Sequence, residues 1–164
     1  MNLRPETAAD ISAISVLTTA AFLTAEHSDG TEAAIVDNLR AADALLLSLV
    51  AVEGESIVGH IAFSPVTIAG EDRGWVGLGP VSVAPDRQGK GVGSALIREG
   101  LARMHDDGRK GCVVLGDPAY YVRFGFAANT SLWLQDVPPE YFMALSFGGP
   151  APQGEVAYHP AFTG

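Results

Sequence analysis

The sequence predicts an α/β fold with a mixed, mostly antiparallel central sheet flanked by helices. Two segments near the N-terminus have apolar residues at helical spacing. Three apolar segments joined by short turns follow, which is typical of an antiparallel meander. A glycine-rich loop then leads into a third helical pattern and another apolar segment, as in a right-handed βαβ unit. The length of 164 residues fits a single domain over 1–164.

A short strand and two helices are predicted at the N-terminus. Residues 2–5 can form the strand, and Thr7 and Asp10 have the spacing of a capping box. The apolar face of the first helix contains Ile11, Ile14, Leu17 and Ala21. After a turn at 29–30, Thr31 can cap a second helix whose apolar face contains Ile35, Val36 and Leu39.

The meander strands are predicted at 44–52, 57–68 and 75–83. The first is rich in Leu and Val, as in a strand buried on both faces. A helix over 91–107 follows the glycine-rich loop, and Gly100 inside it indicates close packing, because glycine costs about 1 kcal/mol there relative to alanine. The next elements are a strand at 111–115, a short helix at 118–124 and a strand beginning at Phe126. The tail from Pro138, with several Pro and Gly residues, is interpreted as extended chain lying on the domain.

Charge and cysteine content exclude several classes of protein. The net charge of −9 does not suit a general nucleic-acid binder, which needs a basic face. The window 85–110 is nevertheless basic, which indicates either a small anionic ligand or a solvated helix face of mixed charge. The single cysteine, Cys112, excludes an internal disulfide framework and a cysteine-based zinc site.

The remaining composition indicates a cytoplasmic protein without a membrane partner. The longest apolar run, 44–52, is too short to span a bilayer, and no apolar signal region follows Met1. No metal is expected, because the histidines lack metal-ligand spacing. They are interpreted as ordinary polar or capping residues: His60, His105 and His159.

Three alternate glycines, Gly89, Gly91 and Gly93, lie between the strand at 75–83 and the following helix. Glycine lets backbone N–H groups approach a ligand closely, and a helix N-terminus adds unpaired donors and partial positive charge. Such a loop can hold a pyrophosphate, with Arg87 and Lys90 adding charge, or can be a plain flexible turn. A Walker A string is absent, and the spacing is not that of a Rossmann fingerprint.

Asp117 leaves one nucleotide-binding alternative open. It follows the next strand, where a ribose-binding acid would lie in a Rossmann fold. The three antiparallel strands before the loop argue against that fold, because it begins with parallel strands.

Two motifs in order resemble the GNAT superfamily of acetyl-CoA-dependent N-acetyltransferases. The string at 88–93, Gln-Gly-Lys-Gly-Val-Gly, resembles that family's Gln/Arg-x-x-Gly-x-Gly/Ala loop, and 81–85 resembles the strand before it. The string at 120–126 resembles its aromatic-Tyr-x-x-x-Gly-Phe element, most closely in a bacterial subgroup called predicted N-acetyltransferases. The resemblance covers a core of about 2–128, with 129–164 as a C-terminal extension packed on it.

The resemblance implies where acetyl-CoA would bind. Backbone N–H groups of 88–94 would hold the pyrophosphate, and those of Val81 and Val83 would pair with the pantetheine arm. This requires a V-shaped splay between the strands at 75–83 and 111–115, which Pro80 favours because it has no N–H. Alternatively, Pro80 simply ends the pairing at a sheet edge. The implied cofactor-binding residues are Val81, Ser82, Val83, Arg87, Gln88, Gly89, Lys90, Gly91, Val92, Gly93 and Ser94.

The resemblance also implies direct transfer of the acetyl group to a primary amine in a ternary complex. Tyr121 would be the general acid towards the departing thiolate, and the Val81 N–H would face the thioester oxygen. Alternatively, Tyr121 has no catalytic role and is a helix residue that packs on the sheet. A non-catalytic acetyl-CoA- or CoA-binding module or sensor is the alternative function.

The acceptor is expected to be a small-molecule or peptide amine, and a homodimer is possible in this family. Four polar residues between the first two helices would border the acceptor cleft: Glu26, His27, Asp29 and Glu32. Carboxylates there would attract a cationic amine. No general base is evident in the sequence.

Overall fold

A computed structural model describes residues 1–23 and 28–163. It confirms an α/β fold with a mostly antiparallel sheet flanked by helices. The helices are α1 (Ile11–Phe22), α2 (Glu32–Ala41), α3 (Val92–Asp106) and α4 (Pro118–Tyr121). The strands are β1 (Asn2–Pro5), β2 (Leu47–Glu53), β3 (Ser56–Ile68), β4 (Trp75–Val83), β5 (Gly111–Leu115), β6 (Ala127–Ala128), β7 (Leu132–Leu134), β8 (Phe142–Ser146) and β9 (Gly154–Tyr158).

The sheet has the order β1-β2-β3-β4-β5-β8-β6, and β9 pairs with both β3 and β7. Along the main path, only β4 and β5 are parallel. Helix α3 connects these two strands, which is the βαβ unit that the change of sequence period predicts.

The chain after residue 138 contributes two strands to the sheet, which the sequence analysis did not predict. It supplies β8, which lies between β5 and β6 inside the sheet, and β9, which extends the edge beside β3. The tail is extended, as predicted, but these two segments are strands of the sheet and do not merely lie on the domain. The sequence does not show this, because Pro and Gly residues that indicate loops enclose both five-residue strands.

The main apolar core fills the space between α3 and one face of the sheet. Gly100 of α3 lies directly over Phe63 of β3, and both are buried. A Cβ at Gly100 would come within 2.6 Å of the Phe63 Cζ atom. The close packing that Gly100 indicates in the sequence is therefore present.

The first helix is fixed to β1 by a charged cap. Arg4 donates to both carboxylate oxygens of Asp10, at 2.7 and 3.1 Å, and the Thr7 N–H donates to the same carboxylate at 2.7 Å. The hydrogen bond from Arg4 holds the pKa of Asp10 well below its usual range. The predicted capping pair is thus present, with one 3₁₀ turn at Ala8–Asp10 before α1.

The two parallel strands separate after three residue pairs. Trp75 pairs with Gly111, Val76 with Cys112 and Gly77 with Val113. Beyond Gly77, β4 remains paired only with β3, where a register shift accommodates Pro80. This geometry confirms the predicted splay between 75–83 and 111–115 and leaves one edge of β4 open.

A chain of polar side chains crosses the opposite face of the sheet. Ser48 of β2 lies 2.7 Å from Nε2 of His60 on β3, and its hydroxyl donates to Glu6. Arg40 of α2 donates to both oxygens of Glu6, at 2.9 and 3.0 Å. Burial lowers the pKa of His60 to about 4, so the ring is neutral at physiological pH. His60 is therefore a fully buried histidine and not a helix cap.

We predict that Gly100→Ala destabilises the protein by up to about 2 kcal/mol. The overpacking against Phe63 costs about 1–3 kcal/mol, and the gain in helix propensity of about 1 kcal/mol offsets part of this cost. Urea unfolding measures the change, and adding Phe63→Leu to this variant provides the control, since the smaller side chain removes the clash. A Gly100→Ala protein more stable than the wild type would contradict the packing.

We also predict that His60 makes the protein acid-sensitive. The unfolded chain binds a proton on this ring near pH 6.5, whereas the folded chain does so only near pH 4. The free energy of unfolding therefore decreases as the pH falls through this window, by about 3 kcal/mol from this group. Urea unfolding between pH 7 and 4 should show this loss in the wild type and a smaller one in His60→Gln.

Substitution of the exposed His105 by Gln is the matched control for that experiment. This variant removes a histidine from the surface of α3 and keeps His60, so the loss of stability assigned to His60 should remain. Identical pH dependence in wild type and His60→Gln would contradict a neutral, buried His60.

Candidate active site

The glycine-rich loop ends in the N-terminus of α3. Gly91 is the residue before the helix, with φ of 89°, and Gly89 has φ of 78°. Both values lie in the left-handed region that favours glycine. A Cβ at either position would meet no atom within 4 Å, so both glycines face open space. The first-turn N–H groups of α3 have no intrahelical partner and point to the same side.

The loop borders a cavity of about 270 Å³. It brings together most of the predicted cofactor-binding residues and adds two aromatic-motif residues that the sequence reasoning did not include, Tyr120 and Arg123. The lining comprises Val83, Arg87, Gln88, Gly89, Gly91, Val92, Gly93, Ser94, Tyr120 and Arg123. Lys90 is exposed beside this cavity but does not line it.

Tyr120 closes the cavity opposite the loop. Its hydroxyl lies 3.3 Å from the Ser94 Oγ atom at the start of α3. The guanidinium of Arg123 stacks 4.6 Å from the centre of the Tyr120 ring, and its Nε donates to the Tyr120 carbonyl oxygen at 2.9 Å. Arg123 is therefore held at the rim by its own helical turn. Its spacing of three residues from Tyr120 is the sequence signal that could have identified it.

The two arginines of the cavity differ in their charge balance. Arg87 donates to Glu53 at 2.8 Å and to Asp86 at 3.1 Å, so its charge is already compensated. Hydrogen bonding to Glu53 raises the pKa of Arg87 further. Within residues 1–23 and 28–163, Arg123 forms no ion pair. Arg123, and not Arg87, supplies uncompensated positive charge to this cavity.

The open edge of β4 presents backbone donors next to the loop. The Ala84 N–H donates to Val58 of β3 at 2.9 Å. Because N–H directions alternate along a strand, those of Val81 and Val83 point away from β3, towards the open edge. The Gln88 side chain donates to the Val83 carbonyl on that edge at 3.1 Å. The β3–β4 register therefore directs both N–H groups to the open edge, where the sequence analysis expected them.

Ser82 faces the other side of the sheet from Val81 and Val83. Its hydroxyl is buried and lies 3.3 Å from the Thr18 hydroxyl of α1. Only its backbone can therefore border the open edge, and its side chain belongs to the α1 side.

Tyr121 lies at the end of the splay, on α4. Its ring packs over Gly116, where a Cβ would lie 2.6 Å from the Tyr121 Cε2 atom. The ring also meets Phe126 edge-on, with the centroids 5.9 Å apart. Burial raises the pKa of Tyr121 to about 12, so its hydroxyl keeps its proton at neutral pH. The hydroxyl can therefore donate a hydrogen bond but cannot act as a resting base.

The side chain of Asp117 caps a helix in this structure, whereas the nucleotide-binding alternative requires it to contact a ribose. Its side chain accepts a hydrogen bond from the Ala119 N–H at 2.9 Å and caps α4. This cap orients the turn that carries Tyr120 and Tyr121.

A second cavity, of about 200 Å³, lies between α1 and the start of α2. It is lined by Thr18, Thr19, Phe22, Leu23, Ser28, Asp29, Gly30, Glu32 and Ala33. Ser28 donates to Glu32 in the first turn of α2, and Asp29 accepts from the Thr31 N–H at 3.1 Å. Two of the predicted acceptor-side residues, Asp29 and Glu32, are thus brought together, whereas Glu26 and His27 lie outside the described residues.

The family is decided by a comparison with protein-family models. A model described as an acetyltransferase (GNAT) domain matches residues 2–128, which include the meander, the glycine loop and the Tyr121 turn. The chain belongs to the GNAT acetyltransferase family.

Two curated relatives from Escherichia coli K12 are described as uncharacterized N-acetyltransferases. N-acetyltransferase YhbS is 42% identical over 107 residues, which are 65% of this chain. N-acetyltransferase YjhQ is 39% identical over 119 residues, or 71% of this chain. The chain spans about 64% of the length of each of these relatives.

Solved GNAT structures match almost the whole chain. A GNAT acetyltransferase from Brucella melitensis in complex with acetyl-CoA is 53% identical, with a TM-score of 0.89 over 98% of this chain and 97% of that one. Escherichia coli YhbS in complex with CoA is 32% identical, with a TM-score of 0.91 over 99% of this chain and 91% of that one. The similarity therefore includes the C-terminal strands beyond the family model.

No helix among the residues described here has both the length and the apolar character to cross a membrane.

Proposed function

We propose that this GNAT protein transfers an acetyl group from acetyl-CoA to a primary amine by direct attack in a ternary complex. The observation that carries the proposal is the open edge of β4, which runs directly into the glycine-loop cavity. The two similar solved proteins, described as complexes with acetyl-CoA and CoA, support this choice of cosubstrate.

The loop and the edge fit the two parts of a CoA molecule. The N–H groups of 88–94 would bind the pyrophosphate, because Gly89 and Gly91 leave open space in front of the helix terminus. Arg123 would add uncompensated positive charge at the rim of the cavity. The N–H groups of Val81 and Val83 would bind an extended pantetheine arm as a neighbouring strand does.

Two groups would assist the transfer itself. The Val81 N–H would donate to the thioester oxygen as negative charge develops on it, and a donor of this kind lowers a barrier by about 3–4 kcal/mol. As the carbon–nitrogen bond forms and the carbon–sulfur bond breaks, the Tyr121 hydroxyl would donate to the departing sulfur. Its buried, protonated state suits this role.

The acceptor would enter from the cavity between α1 and α2. Glu32 and Asp29 line this cavity, and their charge favours a cationic amine, either a small molecule or a peptide. The buried hydroxyls of Thr18 and Ser82 connect the cavity to β4.

A thermal unfolding scan with acetyl-CoA, using NADH as the control ligand, tests the cosubstrate. Acetyl-CoA at 100 times its dissociation constant should add about 2.7 kcal/mol and raise the midpoint by about 5–10 °C. Release of CoA thiol with a panel of amines then tests the transfer. A shift with NADH alone would contradict the proposal, and a shift with acetyl-CoA but no CoA release would favour a CoA sensor.

Tyr121→Phe is predicted to reduce kcat by about 100-fold, because the variant has no proton donor for the thiolate. The dissociation constant of acetyl-CoA should change less than threefold, since the ring packing remains. Steady-state CoA release and calorimetric titration measure the two quantities. Tyr141→Phe, at an exposed tyrosine outside the site, is the matched control. An unchanged kcat would remove Tyr121 from the mechanism.

Arg123→Gln is predicted to weaken CoA binding by about tenfold, because a charge-assisted hydrogen bond contributes about 1.5–3 kcal/mol. Arg87→Gln should have a smaller effect, since Glu53 and Asp86 already compensate that charge. Calorimetric titration with CoA at low and high salt compares the two variants. A larger loss in Arg87→Gln than in Arg123→Gln would contradict this assignment of charge.

A further inference from the structure

One aromatic side chain covers the vertex of the splay, which is the Gly77–Val113 pair where β4 and β5 separate. Tyr158 lies on β9, opposite Val66 of β3, and its ring reaches across to β4. A Cβ at Gly77 would lie 2.5 Å from the Tyr158 Cε1 atom, so glycine leaves room for the ring at this position. The last strand of the chain thus places a bulky side chain at the inner end of the open edge.

The Tyr158 ring lies on the face of the sheet that α1 covers. Gly77 is opposite Ser64 of β3, and because side chains alternate, Ser64 shares its face with His60. His60 is opposite Ser82, whose hydroxyl contacts α1. Tyr121 packs against the main apolar core, which lies on the other face, under α3. The two tyrosines therefore approach the vertex from opposite faces of the sheet.

The Tyr158 ring is enclosed between β4 and the C-terminal turn. The ring of Phe162, in the 3₁₀ turn Pro160–Phe162, has its centre 5.0 Å from that of Tyr158. This turn contacts α2, and His159 caps it by accepting from the Ala161 N–H at 3.0 Å. The ring can therefore leave the vertex only if the turn moves as well.

The hydroxyl end of Tyr158 faces the β5 side of the vertex. Burial raises the pKa of Tyr158, and the side chains of Cys112 and Tyr121 raise it further. Cys112 lies on β5, and Tyr121 follows that strand on α4. The ring thus extends over the end of β4 and towards the gap between the two parallel strands.

The space at the vertex is bounded in three directions. The vertex pair itself closes the inner end. Leu78 of β4 and Val114 of β5 are buried in the main core and close the face under α3. The Tyr158 ring closes the face under α1. A Cβ at Gly79, beside the vertex, would meet no atom within 4 Å, so a small space remains there.

We propose that Tyr158 limits the acyl group of the cosubstrate to acetyl and excludes longer acyl chains. This inference rests on the proposed binding of acetyl-CoA, in which the pantetheine arm runs along Val83 and Val81 towards the vertex. The acyl chain is the end of that arm. An acetyl methyl fits the space beside Gly79. A butyryl chain extends two carbons further and meets the Tyr158 ring, and such overpacking opposes binding.

The test compares the binding of acetyl-CoA and butyryl-CoA by calorimetric titration, which needs no acceptor amine. The wild type should bind butyryl-CoA about 30-fold more weakly than acetyl-CoA, which corresponds to about 2 kcal/mol. Tyr158→Ala should bind the two within about threefold of each other, because the space left by the ring accepts the longer chain. CoA, which has no acyl group, should bind equally well to the wild type and to Tyr158→Ala.

Tyr158→Phe is the matched control, since it keeps the ring and removes only the hydroxyl. It should retain the preference of the wild type for acetyl-CoA. Each variant is first shown to fold by thermal unfolding. Tyr158→Leu, which removes the ring but keeps an apolar side chain, serves if Tyr158→Ala does not fold, and it too should bind butyryl-CoA more tightly than the wild type does. An unchanged preference in Tyr158→Ala, or an equal loss in Tyr158→Phe, would overturn the ring as the barrier.

Failure of this inference and failure of the proposed function give different results. Equal binding of acetyl-CoA and butyryl-CoA by the wild type overturns the limit on chain length alone. A wild type that does not bind acetyl-CoA overturns the cosubstrate and the inference with it. A wild type that binds acetyl-CoA but acetylates no amine overturns the transfer, and the titrations still decide the limit on chain length.

Discussion

The separation of β4 from β5 after the Gly77–Val113 pair is the constraint on which the rest of this structure depends. A strand edge with unpaired N–H groups is costly inside a protein unless water or a ligand satisfies them. Here a register shift with β3 accommodates Pro80 on one side of β4, and on the other side the chain leaves β5 for the turn that carries Tyr121. The open edge therefore depends on the fold around it and not on β4 alone.

The two faces of β4 contact different parts of the candidate site. Val81 and Val83 pack towards α3, whose N-terminus borders the glycine-loop cavity. Ser82, between them, faces α1 and the second cavity. Because side chains alternate along a strand, one short segment borders the glycine-loop cavity through Val83 and contacts Thr18, which lines the second cavity, through Ser82. In the proposed transfer, this alternation would let two substrates meet at one strand.

Much of the fold could be predicted because its signals are local. The helical stripe of α3, the turns of the meander and the glycine loop are each visible within about a dozen residues. The strand β8 could not, since its short apolar stretch is enclosed by loop-forming residues and its place beside β5 is a long-range pairing. The same limit applies to the site. Glu53 compensates Arg87 from 34 residues away, and Ser48 fixes His60 across a strand register.

The position of β8 has a consequence for how the chain is made. The part that matches the family model ends at residue 128. Among the described strands, however, β6 pairs only with β8, and β8 also covers the outer edge of β5. During synthesis from the N-terminus, the path from β1 to β6 therefore stays incomplete until residue 146 has left the ribosome. Until then β5 presents an apolar, unpaired edge to every other nascent chain nearby, so the last strands act as the protein's own protection against misassembly.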